Sequence, residues 1–149
     1  SLIKFSIVSA ARLTKLNSSE IKILENIGSS LGRLFQIQDD YLDLYGLEVK
    51  TGKSVGGDIF ENKKTFLYIS ALDICEDKKQ LINIYHSTDE NKLSKIKYLY
   101  SNLGVKGITE QKIKELSSSI VELISKLNLN SAQKVLFAEF IKMISIRNK

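Results

Sequence analysis

Residues 18–46 read SSEIKILENIGSSLGRLFQIQDDYLDLYG. Apolar residues recur at Ile21, Leu24, Ile27, Leu31, Leu34, Phe35, Leu42 and Tyr45. That 3.6-residue spacing predicts one helix from about Ser18 to Tyr45. Asn17 followed by Glu20 is a capping-box pattern that opens it, and Gly46 is a natural stop. Gly28, Ser29, Ser30 and Gly32 weaken the helix but let another helix or a ligand approach closely. Three aspartates, Asp39, Asp40 and Asp43, stand in its most apolar stretch.

Helical periodicity extends outward from this segment. Leu2, Phe5, Val8 and Ser9 share a face of a first helix ending near Leu16, with nothing to cap its start. Residues 46–62 carry no clear period and are expected to form a glycine-rich loop. Helices resume in KKTFLYISALDIC, KKQLINIYHS and ENKLSKIKYLYSNLG. An amphipathic helix is expected from Thr109, as its cap, to Leu127, and a last one from Ser131 to about Ile146. The chain contains no proline, the main breaker of helices. The fold class expected is all-α, a helical bundle.

The 149 residues suit one domain, and 43% hydrophobic with 26% charged residues is a globular composition. The net charge of +5 comes from lysines scattered along the chain, a solvated surface rather than a nucleic-acid footprint. A single cysteine, Cys75, excludes an internal disulfide framework and fits a reducing, cytoplasmic setting. No apolar run approaches a membrane span, so no stable membrane insertion is expected. The opening SLIKFSIVSAARL has the pattern of a helix interior, which suggests a chain that begins within a larger protein.

The aspartates pose an electrostatic problem. Asp39 and Asp43 are four residues apart and share a helix face, with Gln36 one turn earlier. At about 6 Å and an effective dielectric of about 20, two such charges repel by roughly 3 kcal/mol. Asp43 also falls in the last helical turn, where the macrodipole favours cations. A solvated acidic patch is one resolution. A hard dication such as Mg2+, bound by one or two carboxylates together with substrate phosphates, is the other. A calcium EF-hand does not fit, because a ligand position would fall on Tyr41. Downstream, Lys50, Lys53, Lys63 and Lys64 flank the glycine-rich turn and could hold phosphate oxygens as point charges. GKS at 52–54 is not a Walker loop, since the glycine spacing is wrong and a helix, not a strand, precedes it.

In order, FQIQDDYLD, GK at 52–53 and GGDIFENKKTFL at 56–67 resemble the second aspartate-rich region of trans-isoprenyl diphosphate synthases. These form the polyprenyl synthetase family, of the farnesyl and geranylgeranyl diphosphate synthase type. The resemblance is close over about 31–67, and the tail from about Asp73 matches only in being helical. It implies the C-terminal half of the isoprenoid synthase fold as part of a single domain, with the N-terminal half missing. That half would carry the earlier aspartate-rich motif, the basic isopentenyl-binding residues and a lysine–threonine pair, none of which occurs here. Family chains are roughly twice this long.

The resemblance further implies a site. Asp39 would be the main Mg2+ ligand, with Asp40 and Asp43 assisting. Lys53 and Lys63 would hold the allylic diphosphate, Gln36 would line the site near the reacting carbons, and Phe35 would shape the isopentenyl pocket. The substrates implied are isopentenyl diphosphate and an allylic diphosphate, joined into a longer trans-prenyl diphosphate. The fragment alone would be inactive and would pair with its missing half or with another copy, as a homo-oligomer. The competing readings are a non-catalytic helical interaction module, or a regulatory subunit or terpene cyclase of the same fold.

Overall fold

The computed structural model describes residues 1–46 and 55–145, without the side chains of 144 and 145. Eight helices, and no strand, occur among the described residues. They are α1 (Leu2–Arg12), α2 (Ser18–Tyr45), α3 (Gly57–Phe60), α4 (Phe66–Ile74), α5 (Lys78–Tyr85), α6 (Lys92–Asn102), α7 (Val105–Ser125) and α8 (Ser131–Ser145). The all-α expectation holds. The described residues divide into two compact units, 1–38 with 112–145, and 39–111.

In the first unit, α2 opens as its sequence predicts. The Asn17 Oδ1 accepts from the Ser19 and Glu20 amides at 3.0 Å, and Glu20 Oε2 accepts from the Asn17 amide at 3.1 Å. Three backbone donors at the helix start are thereby satisfied. The first helix departs from expectation at both ends. Ser1 caps it, its Oγ accepting from the Lys4 amide at 3.3 Å. It stops at Arg12 rather than near Leu16, where the Thr14 hydroxyl donates to Ala11 O at 2.6 Å and competes with the helical ladder. Its expected apolar face is largely exposed, with Leu2 at 80% and Phe5 at 70%. Ala11 is the residue it buries.

Close helix packing explains the small residues of α2. A Cβ built on Gly28 would stand 2.9 Å from the Lys4 Cα, and Lys4 Nζ pairs with Glu25 at 2.7 Å across the same contact. The interior of this unit comes from Ile27, Leu31, Leu34 and Ile37 of α2, Ile113, Ile120 and Ile124 of α7, and Ile141 of α8.

The second unit has one apolar core. Leu44 from α2 joins Ile59, Leu67, Tyr68, Ala71, Leu81, Tyr85, Ile96, Tyr100 and Val105. Helices α5 and α3 both pack on α6. Cys75 lies at the edge of this core, partly buried and reduced. Part of the expected 46–62 loop is helical, since Gly57–Phe60 form a turn of helix, while 47–54 lie outside the described residues. Thr109 is not a cap. Gly104, at φ +68°, ends α6, and α7 begins on the next residue, so Thr109 falls inside the helix. It is fully buried and donates its hydroxyl to Val105 O at 2.8 Å. Among the described residues no helix is long and apolar enough to cross a membrane.

Two glycine variants separate packing from propensity. Alanine at a mid-helix glycine gains roughly 1 kcal/mol of helix propensity. At Gly28 the new methyl meets backbone, which no rotamer change relieves, and overpacking costs about 1–3 kcal/mol. Gly28→Ala is therefore expected to lower unfolding free energy by about 1 kcal/mol. Gly107 in α7 has open space around its Cβ position, so Gly107→Ala should raise stability by roughly 0.5 kcal/mol. Urea titrations of both variants check the opposite signs.

Candidate functional site

The three aspartates at the end of α2 do not share one environment. Asp39 is exposed. Asp40 is 6% exposed, and its Oδ2 accepts from the Phe66 amide at 2.8 Å. Phe66 is the first residue of α4, where an unsatisfied N–H and the positive end of the helix dipole both stabilise a carboxylate. Asp43 is half-buried, and its Oδ2 accepts from the Asp58 amide at 3.1 Å in the first turn of α3. The Asp43 carbonyl also accepts from the Gly56 amide at 2.7 Å. Backbone amides thus offset charge on two of the three carboxylates, a resolution of the repulsion that sequence reasoning did not consider.

The two glycines of GGDI follow from this clamp. Gly56 holds φ +83°, and a Cβ there would collide with Leu93 Cδ1. A Cβ on Gly57 would press on Asp43 Oδ1 at 3.2 Å. At Gly56 the positive φ itself selects glycine, and a Cβ at either position would force Leu93 or Asp43 to shift.

Asp58 connects the aspartates to Lys63. Its Oδ1 accepts from Lys63 Nζ at 2.7 Å, and Glu61 Oε2 lies 2.8 Å from the same ammonium. Asp58 first and Glu61 second raise the Lys63 pKa, so the ammonium stays charged across the physiological range. The Lys63 side chain is 53% exposed, so its charge is presented to solvent. Asn62, just before it, adopts φ +55°, a left-handed conformation that asparagine tolerates better than most residues.

Gln36 and Phe35 are exposed residues of the α2 segment assigned to the first unit, Phe35 at 40%. Lys53, like Lys50, lies outside the described residues. Among the described residues no group of three or more His, Cys, Asp or Glu side chains is arranged to hold a metal ion. Within GGDIFENKKTFL, nothing local marks Asp58, Glu61 and Asn62 as site residues. Their role became visible when α3 folded back on Asp43.

A family model described as Polyprenyl synthetase matches residues 1–103. The chain belongs to the polyprenyl synthetase family. The match runs beyond the 31–67 stretch on which the sequence resemblance rested, reaching through α6. Farnesyl pyrophosphate synthase of Schizosaccharomyces pombe is 33% identical over 132 residues, which are 87% of this chain and 38% of that protein. A crystal structure of a geranylgeranyl pyrophosphate synthase is similar at TM-score 0.88 and 26% identity, covering 99% of this chain and 48% of the other. Geranylgeranyl pyrophosphate synthetase from Pyrococcus horikoshii Ot3 gives TM-score 0.78 and 27% identity, covering 89% and 41%. The chain thus spans less than half the length of these relatives.

Within this family member, the aspartates should separate on stability. Removing the Asp40 carboxylate leaves the Phe66 amide without its acceptor, so Asp40→Ala should cost about 1–3 kcal/mol. Asp39→Ala should stay within roughly 0.5 kcal/mol of the parent, as exposed substitutions do. Equal losses for both in chemical denaturation would contradict the assignment.

Proposed function

We propose that the protein carrying this chain is a prenyltransferase that condenses isopentenyl diphosphate with an allylic diphosphate into a longer trans-prenyl diphosphate, and that residues 1–149 are the C-terminal part of its single domain. The observation that supports this best is the division among the aspartates. Asp40 and Asp43 bind backbone amides, whereas Asp39, on the same helix end, is exposed to solvent. Lys63 presents an ammonium from the turn that Asp43 organises through Asp58.

The donor chemistry fits Mg2+ in one form only. An exposed all-oxygen ligand suits a hard dication that keeps its waters and is held largely by substrate phosphates. An all-protein cage does not fit the described residues. In this reading Asp39 is the principal Mg2+ ligand, and Asp40 and Asp43 assist partly through water while orienting the α3 and α4 starts. When bound, Mg2+ supplies positive charge that stabilises the departing diphosphate.

Lys63 and Lys53 hold oxygens of the allylic diphosphate and favour its departure with the bonding electron pair. Gln36 lies near the reacting carbons, and Phe35 shapes the isopentenyl pocket. The isopentenyl double bond attacks the allylic cation, a carbon–carbon bond forms, and the proton lost goes to the released diphosphate. A cytoplasmic setting accommodates both charged substrates and the single reduced cysteine.

A non-catalytic helical module is the competing reading: the backbone-amide contacts of Asp40 and Asp43 would persist in a relic, so the exposed Asp39 is the residue on which the two readings differ. Asp39→Ala in the full-length protein decides between them. Loss of a single transition-state contact of this kind lowers turnover by about 10²–10³. Titration with inorganic pyrophosphate should show Mg2+-dependent heat that the same variant abolishes. Unchanged synthesis and unchanged heat would remove the catalytic reading. The 149-residue chain by itself should show no turnover.

We also expect this chain to associate with the remainder of the protein or with a second copy. Leu2, Phe5 and Leu13 are all largely exposed, and exposed apolar side chains on one segment are where a partner surface is expected. A monodisperse monomer in light scattering contradicts that expectation.

A further inference from the structure

Lys92 is the most anomalous charge in the second unit. It is 2% exposed. It occupies the first position of α6, where the helix dipole opposes a cation. Among the described residues no carboxylate pairs with it. Its Nζ instead donates to Asn62 Oδ1 at 2.7 Å and stands 5.4 Å from the centre of the Tyr85 ring. Burial pushes its pKa down, as expected for an ammonium held by partial charges alone. A solubilising lysine has no reason to be there, since methionine would fill the same volume without desolvating a charge.

One partner of Lys92 lies in the turn that carries Lys63, and the other, Tyr85 at the end of α5, is hydrogen-bonded to it. Asn62 is the left-handed residue immediately before Lys63. Tyr85, fully buried, donates its hydroxyl to the Lys63 carbonyl at 2.6 Å and stacks on Tyr68 with ring centres 4.0 Å apart. The Lys63 carbonyl also accepts from the Thr65 amide at 2.9 Å, and the Lys63 amide donates to Asp58 O at 2.9 Å. Thus the Lys63 backbone is tied from both sides, and Lys92 grips the residue before it and the ring that holds it.

We propose that Lys92 is a positioning residue: its buried ammonium locks Asn62 in the left-handed conformation and anchors the Asn62–Lys63 turn to Tyr85, so that Lys63 meets the substrate diphosphate in one orientation. The proposal rests on the reading of Lys63 as a diphosphate contact. It accounts for the asparagine before that lysine on two grounds. Asparagine tolerates positive φ. Its amide oxygen also supplies the acceptor that a neutral side chain can offer a buried ammonium.

A double-mutant cycle in the full-length protein tests it, with Lys63→Met and Lys92→Met assayed singly and together against the allylic diphosphate. Lys92→Met keeps the aliphatic stem and removes the charge. Each single change should raise KM for the allylic diphosphate by about tenfold, with a smaller effect on the KM for isopentenyl diphosphate. Because Lys92 acts through Lys63, the double variant should be no worse than Lys63→Met, a non-additivity that mere loss of stability does not produce. If the two losses multiply, the positioning role is overturned. If Lys63→Met leaves the allylic KM unchanged, the diphosphate reading of Lys63 fails, and the proposal falls with it. Should Lys92→Met fail to fold, Asn62→Gly takes its place in the cycle, since glycine retains the backbone conformation and removes only the acceptor.

Discussion

The bond from the Phe66 amide to the Asp40 carboxylate spans 26 residues of sequence and sets the course of the chain after α2. A buried carboxylate needs compensation, and the start of α4 provides it with an otherwise unsatisfied donor and a favourable dipole. Asp43 repeats the arrangement one turn later for α3, with its carboxylate on Asp58 and its carbonyl on Gly56. The last turns of α2 are therefore a template on which two helix starts are laid. Ile59 from α3 and Leu67 and Tyr68 from α4 are delivered to the core by those two contacts. The turn between the two helices carries Asn62 and Lys63, so the position of the presented lysine descends from the same carboxylates.

A second polar layer holds that turn from the other side. Lys92, Asn62 and Tyr85 replace a full countercharge with an amide oxygen and an aromatic face. The Tyr85 hydroxyl, its pKa pushed up to about 12 chiefly by burial, remains protonated and able to donate to the Lys63 carbonyl. Near the beginning of α7, Tyr41 donates to Glu110 Oε1 at 2.6 Å, and Lys106 lies 5.7 Å from the Tyr45 ring centre. Both tyrosines stand on the same turns of α2 as the aspartates. The end of α2 is thus fixed by hydrogen bonds on several sides, and Asp39 is the member of the aspartate group left facing solvent.

Much of this was legible in the sequence where the signal is local. The capping box at Asn17, the extent of α2, and α4, α5 and α6 follow from periodicity and punctuation within a few residues. The misreadings came where tertiary contacts override such signals. Thr109 looks like a cap, yet Gly104 had already ended the preceding helix, and the threonine hydroxyl bonds back to Val105. Leu2 and Phe5 look like a buried face, yet the close contact of α1 with α2 runs through Lys4 and Gly28 instead. The sequence shows the crowding of Asp39, Asp40 and Asp43 but not what surrounds them. The Phe66 and Asp58 amides that bind Asp40 and Asp43 lie 26 and 15 residues away from them, and no local pattern encodes those contacts. Lys92 was one lysine among many, since only its burial, with Asn62 30 residues distant, sets it apart.

The pairing of Lys63 with Asp58 and Glu61 raises the question of how an already paired ammonium can serve an anionic ligand. Exposure supplies the answer. With the lysine and Glu61 side chains 53% and 65% exposed, water screens their contact, and such surface pairs are worth roughly 0–1 kcal/mol. Asp58, 16% exposed and tied by its amide to Asp43, is the firmer partner. If Lys63 contacts a diphosphate as proposed, a phosphate oxygen would displace Glu61 at small cost while Asp58 keeps the ammonium aimed. An ammonium has three donors, so retaining Asp58 still leaves capacity for phosphate. Ion pairing here orders the side chain before a ligand arrives, which lowers the entropy lost on binding.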